Sequence, residues 1–144
     1  MTPDMSSQEF AHLAAQNNQR IPVMREILAD LETPLSCYLK LARGPYSYLF
    51  ESVEGGEKWG RYSLIGLPSA TVIKICGHQW TLEKHGAVIE ERTVQDPLAE
   101  IEAFQQPFNM PEHPDLPRFT GGLVGYFGYD TVRYIEPRLA DSCP

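Results

Sequence analysis

The 144-residue chain carries 12 Lys and Arg residues against 19 Asp and Glu residues, which gives a formal net charge of −7 at pH 7. Hydrophobic residues make up 42% of the chain and charged residues 22%, a balance typical of a globular domain. Nucleic-acid binding requires clustered positive charge, and this composition does not favour it. No apolar run has the length of a membrane span, and the N-terminus does not read as a secretory signal. We therefore expect a soluble cytoplasmic protein that binds neither nucleic acid nor membranes.

The cysteines and histidines do not form a recognisable site. Cys37, Cys76 and Cys143 are odd in number and far apart, which predicts reduced thiols rather than a disulfide framework. The nearest approach to a metal-ligand pair is Cys76 with His78, but a structural zinc site needs four ligands. Phosphate-binding glycine loops and nucleophile elbows are missing as well. We predict no catalytic, cofactor-binding or metal-binding residues in this chain.

The chain opens with a helix signal. Ser6 and Glu9 have the spacing of a capping box, which predicts a short helix followed by a break at two consecutive asparagines. We assign residues 1–19 to an N-terminal helical extension and residues 20–144 to one incomplete domain. The first segment of that domain, from Arg20 to Leu28, is predicted to be an edge strand, because a proline near its start cannot donate a ladder hydrogen bond.

A second helix is predicted to begin at Thr33 and Pro34. The threonine hydroxyl can accept a hydrogen bond from an orphan amide, and proline suits the first helical position. A Gly-Pro pair at 44–45 ends the helix. The apolar spacing predicts a buried stripe on this helix that consists of Leu35, Tyr38, Leu39 and Ala42.

The middle of the chain is rich in predicted strands that follow one another as hairpins. The strand segments are 46–52, 61–67, 70–76, 79–83 and 87–93. Turn signals at Gly77-His78 and at Lys84-His85-Gly86 predict antiparallel pairing of the last three strands. Helices interspersed with hairpins indicate an α+β fold with antiparallel, sandwich-like sheets and flanking helices.

The last third of the chain repeats these signals. Asp96 followed by Pro97 predicts another helix start. Residues 118–127 are predicted to be a bent strand, because its glycines indicate close backbone approach. A helix is predicted at 131–135. Asp130 can either cap that helix or pair with an arginine three residues later.

Aromatic residues alternate along the first predicted hairpin strand. Tyr46, Tyr48, Phe50 and Ser52 are expected to share one face, because successive side chains of a strand point to opposite sides. One interpretation is a core strand that becomes polar where it reaches the surface. The other is a pocket for a flat aromatic ligand with a polar end. The residue pattern leaves both open.

Four segments of the chain resemble the N-terminal region of anthranilate synthase component I, a family that uses chorismate in tryptophan biosynthesis. They are TPLS at 33–36, LFES at 49–52, GGEKWGRYS at 55–63 and RFTGGLVGYFGYD at 118–130. Proteins of this family are roughly three times longer than one domain of this size. Their chorismate and Mg²⁺ site lies in the C-terminal portion. The resemblance therefore implies an N-terminal fragment that has no catalytic activity alone.

The resemblance also implies a role for the consecutive residues Glu51 and Ser52. In this family the pair contributes to a feedback site for L-tryptophan, so Ser52 is the expected side-chain contact, Glu51 the next and Lys58 a further one. A regular strand directs Glu51 and Ser52 to opposite faces, so both cannot enter one pocket from it.

For the full-length enzyme, the resemblance implies that chorismate and ammonia give anthranilate and pyruvate. Mg²⁺ is expected to hold the carboxylates of chorismate, and a glutamine amidotransferase subunit, component II, to supply the ammonia. Three alternatives remain open. One is aminodeoxychorismate synthase component I, which shares the glycine motif. Another is a free-standing domain that binds an aromatic small molecule or a partner protein. The third is a purely structural module without a site.

Overall fold

The computed structural model describes residues 5–15, 20–51, 62–108 and 119–139. Its helices are α1 (Ser7–Ala15), α2 (Pro34–Leu41), α3 (Pro97–Gln105) and α4 (Val132–Ile135), with 3-10 turns at Gln106–Phe108, Tyr129–Thr131 and Pro137–Leu139. Its strands are β1 (Tyr48–Glu51), β2 (Ser63–Gly66), β3 (Thr71–Cys76), β4 (Gln79–Lys84) and β5 (Ala87–Thr93). The described strands form two antiparallel sheets, which confirms the predicted α+β class. None of the described helices is both long and apolar enough to cross a membrane.

The chain divides into two compact units. One consists of Leu28–Thr93 and contains α2 and both sheets. The other consists of Met1–Ile27 with Val94–Pro144 and contains the remaining described helices.

The three-stranded sheet has the order β3-β4-β5, as the turn signals predicted. The turns are tight, since Gly77 and Gly86 adopt φ angles of +56° and +80°, which glycine reaches without steric cost. A bulge at Leu82/Glu83 interrupts the pairing of β4 with β5. Such bulges are typical of sheet edges, where they discourage pairing with foreign strands.

Cross-strand pairing sorts the side chains of this sheet into two faces. Cross-strand partners place the side chains of Ile73, Ile75, Trp80 and Leu82 on one face. Trp80 is its most buried member, with 1% of its surface exposed, and the Arg92 guanidinium lies 5.3 Å from the centroid of its ring. The opposite face carries an ion pair in which Lys74 Nζ lies 2.5 Å from a carboxylate oxygen of Glu83. A second ion pair, between Arg92 and Glu90 at 2.6 Å, lies on the Trp80 face, because these two residues pair with Trp80 and Leu82.

Helix α2 begins where the sequence predicted. The Thr33 hydroxyl accepts a hydrogen bond from the Ser36 amide at 3.1 Å, and the Ser36 hydroxyl accepts one from the Thr33 amide at 2.9 Å. These two bonds form a capping box in which a serine replaces the usual Glu or Gln. The cap fixes the point at which the chain enters the helix.

Helix α2 packs against β1 and β2, and its hydroxyl contacts hold it there. Tyr38 Oη lies 3.0 Å from Ser47 Oγ, and the Ser47 hydroxyl also lies 3.0 Å from the Gly44 carbonyl oxygen, to which it donates. Gly44 has a φ of +151°, and a Cβ built there would come within 2.8 Å of Pro68. The chain can therefore turn from α2 into the hairpin only with glycine at this position.

The predicted buried stripe of α2 is only partly correct. Ala42 is buried and Tyr38 is half-buried, but Leu35 and Leu39 are 53% and 55% exposed. The Tyr38 hydroxyl contacts Ser47 next to the hairpin, whereas Leu35 and Leu39, which share the same apolar stripe, remain more than half exposed. The periodicity therefore identified the apolar residues of the stripe but did not show which of them are buried.

The strands predicted at 20–28 and 118–127 are not found in the described parts of those segments. Residues 20–29 have no regular structure, and among the described residues no strand pairs with them. Residues 119–128 likewise form no strand. Gly121 and Gly122 have φ angles of +141° and +144°, which take the backbone out of the pleated conformation.

The helix signals of the unit formed by Met1–Ile27 and Val94–Pro144 are confirmed. Ser6 Oγ accepts the Glu9 amide at 3.2 Å at the start of α1, whose predicted end at Asn17 lies outside the described residues. An Asp96 carboxylate oxygen accepts hydrogen bonds from the first-turn amides of α3, at 3.0 and 3.1 Å. Asp130 forms an ion pair with Arg133 at 3.1 Å and makes no cap, which decides between the two predicted roles.

The first testable consequence concerns the start of α2. Glu32 accepts hydrogen bonds from Lys40 Nζ and, at 2.6 Å, from Ser36 Oγ. Both hydrogen bonds, with that from Lys40 the stronger, hold the pKa of Glu32 below its ordinary value. A depressed carboxyl pKa means that the interaction stabilises the fold above the ordinary carboxyl pKa and is lost as the pH falls through the folded-state pKa.

We expect Lys40→Met to raise the pKa of Glu32 toward its ordinary value, because the main partner of the carboxylate is removed. The measurement is an NMR titration of the Glu32 carboxyl carbon in the two proteins. Lys84→Met, at the last residue of β4, is the matched control and should leave that pKa unchanged. An equal pKa in the Lys40 variant and the unmodified protein would refute the pairing.

Candidate functional site

The predicted site residues lie at one end of the β1–β2 hairpin. Glu51 is the last residue of β1, its side chain is exposed, and it pairs in the ladder with Ser63, the first residue of β2. Ser52 and Lys58, the other two predicted contacts, lie outside the described residues. The structure therefore places Glu51 and does not test the other two.

The register of the hairpin sorts its side chains into two faces. Glu51 pairs with Ser63, and Leu49 pairs with Ile65, so these four side chains share one face. Tyr48 and Phe50 alternate with them and lie on the other face. The pairing is regular as far as Glu51, so the carboxylate and the aromatic side chains are on opposite faces of the hairpin.

The aromatic face is built around a glycine. The rings of Tyr48 and Phe50 lie 4.9 Å apart between centroids, with an angle of 32° between their planes. A Cβ built on Gly66, the ladder partner of Tyr48, would fall 1.9 Å from a Tyr48 ring carbon. The Tyr48 ring therefore lies directly on the backbone of β2, in space that a side chain would occupy. A glycine inside a predicted strand is the sequence signal that could have identified this contact.

Tyr46 does not continue this aromatic row, contrary to the prediction. It precedes β1 in a turn with a φ of +59°, which is uncommon for a residue other than glycine. The centroid of its ring lies 6.0 Å from Nζ of Lys74, a residue of β3. The pKa of Lys74 is raised mainly by its hydrogen bond to Glu83 and to a smaller extent by a hydrogen bond to Tyr46. Tyr46 thus belongs to the polar surroundings of Lys74.

The two faces of the hairpin offer different chemistry. An exposed carboxylate can pair with an ammonium group, and the Ser63 hydroxyl opposite it can donate or accept a hydrogen bond. The Tyr48–Phe50 face can pack against a flat apolar ring. Because the sheet separates them, the Glu51 side chain and this aromatic face cannot contact the same small ligand. In the described ranges, no group of three or more His, Cys, Asp or Glu side chains is placed to hold a metal ion.

The chain is similar to known proteins over almost its whole length. It is 56% identical over 138 residues to the anthranilate synthase component 1 of Pseudomonas putida, which covers 96% of this chain and 28% of that protein. The protein of the same name from Aquifex aeolicus is 43% identical over 139 residues, which covers 95% of this chain and 28% of that protein. No family model and no solved structure matches the chain. The chain thus spans 28% of the length of these curated relatives, and the predicted resemblance to anthranilate synthase component 1 is confirmed.

The Tyr48–Gly66 contact predicts the effect of one added methyl group. Gly66→Ala should destabilise the protein by about 1–3 kcal/mol, because the new Cβ must displace the Tyr48 ring from β2. Urea denaturation would measure this change. The matched control is Gly125→Ala, since a Cβ at Gly125 meets no atom within 4 Å. Equal stability of the two variants would show that the Tyr48 ring does not rest on Gly66.

Proposed function

We propose that this chain is the N-terminal, tryptophan-sensing part of an anthranilate synthase component 1. The observation that carries this proposal is the 56% identity to the Pseudomonas putida protein of that name across 96% of the chain. A protein of the same name from Pseudomonas aeruginosa is equally similar, with 56% identity over 140 residues. An identity this high over nearly the whole chain supports a shared role as well as a shared fold.

The reaction belongs to the longer protein. In this proposal, component 1 converts chorismate and ammonia to anthranilate and pyruvate, and a glutamine amidotransferase partner, component II, supplies the ammonia. The aligned residues are 28% of the relatives' length, so most of the protein that performs this chemistry lies outside the present sequence. We assign the chorismate-binding residues and the ligands of Mg²⁺ to that part. Lyase chemistry is accordingly not assigned to any residue of this chain.

The contribution of this chain is the feedback site. We assign L-tryptophan binding to Ser52, Glu51 and Lys58, with the glutamate carboxylate on the amino group and the lysine on the carboxylate of the ligand. The exposed position of Glu51 at the end of β1 supports this assignment, because a ligand can reach it without disturbing the ladder. The indole ring requires apolar cover from a source other than the Tyr48–Phe50 face, which points away from Glu51.

Inhibition follows from differential affinity. A ligand shifts a protein between two arrangements only by the difference in its binding free energy for them. Tryptophan at the hairpin end would therefore inhibit by binding the inactive arrangement of the longer protein more tightly than the active one.

The activity test uses the protein encoded by the complete gene. Incubated with chorismate, ammonium and Mg²⁺, it should release anthranilate, which is detected by its fluorescence. The aminodeoxychorismate alternative predicts a different product, which chromatography of the same mixture would separate. Release of aminodeoxychorismate without anthranilate would replace the proposed function by that alternative.

The feedback site is tested by Ser52→Ala in the same protein. Loss of a hydrogen bond to a charged ligand group costs roughly 1.5–3 kcal/mol, so the tryptophan concentration for half-inhibition should rise about 10- to 100-fold. Each variant's inhibition is expressed relative to its own rate without tryptophan. Ser69→Ala is the matched control, at a serine whose hydroxyl donates to the Thr71 carbonyl oxygen and accepts from the Thr71 amide, and it should leave the inhibition curve unchanged. Unaltered tryptophan sensitivity in the Ser52 variant would rule out this serine as a ligand contact.

A further inference from the structure

Ser63 is the side chain that the hairpin register places next to Glu51. The two residues are ladder partners where the chain leaves β1 and enters β2, and both are exposed. Directly opposite residues of an antiparallel pair lie on the same face of the sheet, with their Cβ atoms about 4.5–5.5 Å apart. One small polar group of a ligand can therefore contact the Glu51 carboxylate and the Ser63 hydroxyl at the same time.

The serine that follows Glu51 in the sequence does not have this placement in a regular strand. Successive side chains of a strand point to opposite faces, so the alternation of β1 directs the next side chain away from the Glu51 face. Ser52 itself lies outside the described residues. Ser63 offers a hydroxyl on the Glu51 face within the observed register, without a bulge or a strand end at Glu51.

The Glu51 carboxylate is open to a cationic ligand group. On the three-stranded sheet, the Glu83 carboxylate is already paired with Lys74, whereas within the described ranges no side chain forms an ion pair with Glu51. A primary ammonium group has three N–H donors, and a donor that loses water without gaining an acceptor weakens binding. A hydroxyl can accept from the ammonium and donate its own proton to the neighbouring carboxylate. Glu51 and Ser63 together therefore suit an ammonium group better than the carboxylate alone.

We propose that Ser63 is a further contact of the amino-acid ligand, and that its Oγ accepts a hydrogen bond from the same α-ammonium group that Glu51 binds. This inference rests on the proposed function, because the ligand is the L-tryptophan assigned to the feedback site. It divides the ligand between two sets of residues. Glu51 and Ser63 hold the ammonium group, and Lys58 holds the carboxylate.

The test replaces Ser63 in the complete gene product by two residues of nearly the same shape. Ser63→Thr keeps a hydroxyl, Ser63→Val has a methyl group in its place, and both β-branched residues suit a strand. Tryptophan affinity is measured by isothermal titration calorimetry. We expect Ser63→Val to bind tryptophan about 10- to 100-fold more weakly than Ser63→Thr, because a hydrogen bond to a charged group is lost.

The matched control is Thr71→Val, which makes the same exchange of hydroxyl for methyl at the exposed first residue of β3 and should leave tryptophan affinity unchanged. The same measurement with L-tryptophan amide, which keeps the ammonium group and lacks the carboxylate, should give the same ratio between the two Ser63 variants. A ratio near one with the amide would assign the hydroxyl to the ligand carboxylate and overturn the proposal. Ser63→Ala, compared with the unmodified protein, replaces the pair if the larger residues prevent folding.

Equal tryptophan affinity of folded Ser63→Thr and Ser63→Val would overturn the proposal, and so would an unchanged affinity in Ser63→Ala. Anthranilate formation and tryptophan inhibition of the unmodified protein are measured on the same preparation. If both are present and the variants bind tryptophan equally, the Ser63 contact alone fails. If the unmodified protein neither forms anthranilate nor binds tryptophan, the proposed function fails and the contact fails with it.

Discussion

The register between β1 and β2 is the constraint on which the rest of this unit depends. It places Tyr48 opposite Gly66, and the absence of a side chain at Gly66 allows the ring to lie on the β2 backbone. A shift of one residue would exchange the faces of the hairpin and bring Tyr48 opposite a residue with a side chain. The same register fixes Glu51 beside Ser63 and away from the aromatic face. One glycine thus defines both the packing of the hairpin and the direction of its candidate ligand contact.

The hairpin alone is a small structure. Two strands of four residues are marginally stable in water without a further element packed on them. Helix α2 supplies that element through its contacts with both strands, and the Thr33–Ser36 capping box fixes where the helix begins. Gly44, where an added Cβ would clash with Pro68, then allows the chain to turn from the helix into the hairpin. These local contacts make α2 and the hairpin one packed substructure, although several of its large apolar side chains, such as Leu35, Leu39 and Phe50, are more than half exposed.

The features that the sequence predicted correctly are those that short-range chemistry determines. The side chains of Thr33 and Asp96 accept hydrogen bonds from nearby backbone amides, and the turn glycines adopt the positive φ angles that the two tight turns require. The order β3-β4-β5 follows because these turns join consecutive strands. The errors concern long-range partners. The segment at 20–28 has the composition of a strand, but the part of the chain that the structure describes contains no strand paired with it. The spacing of Leu35 and Leu39 predicts burial, but both side chains are more than half exposed. For the site, strand alternation correctly predicted that the Glu51 and Phe50 side chains lie on opposite faces. The positive φ of Tyr46 could not be predicted, because a tyrosine gives no indication of that backbone conformation.

The proposed ligand contact belongs to this same substructure. Glu51 ends β1, and α2 packs against β1, so a displacement at the end of the strand would act on the helix. Coupling between two sites requires an element with two discrete arrangements that both sites bias. The capped helix on a short, glycine-seated hairpin is the candidate for that element in this unit. If tryptophan binds at the hairpin end as proposed, the difference in its affinity for the two arrangements sets the maximum inhibition that it can produce.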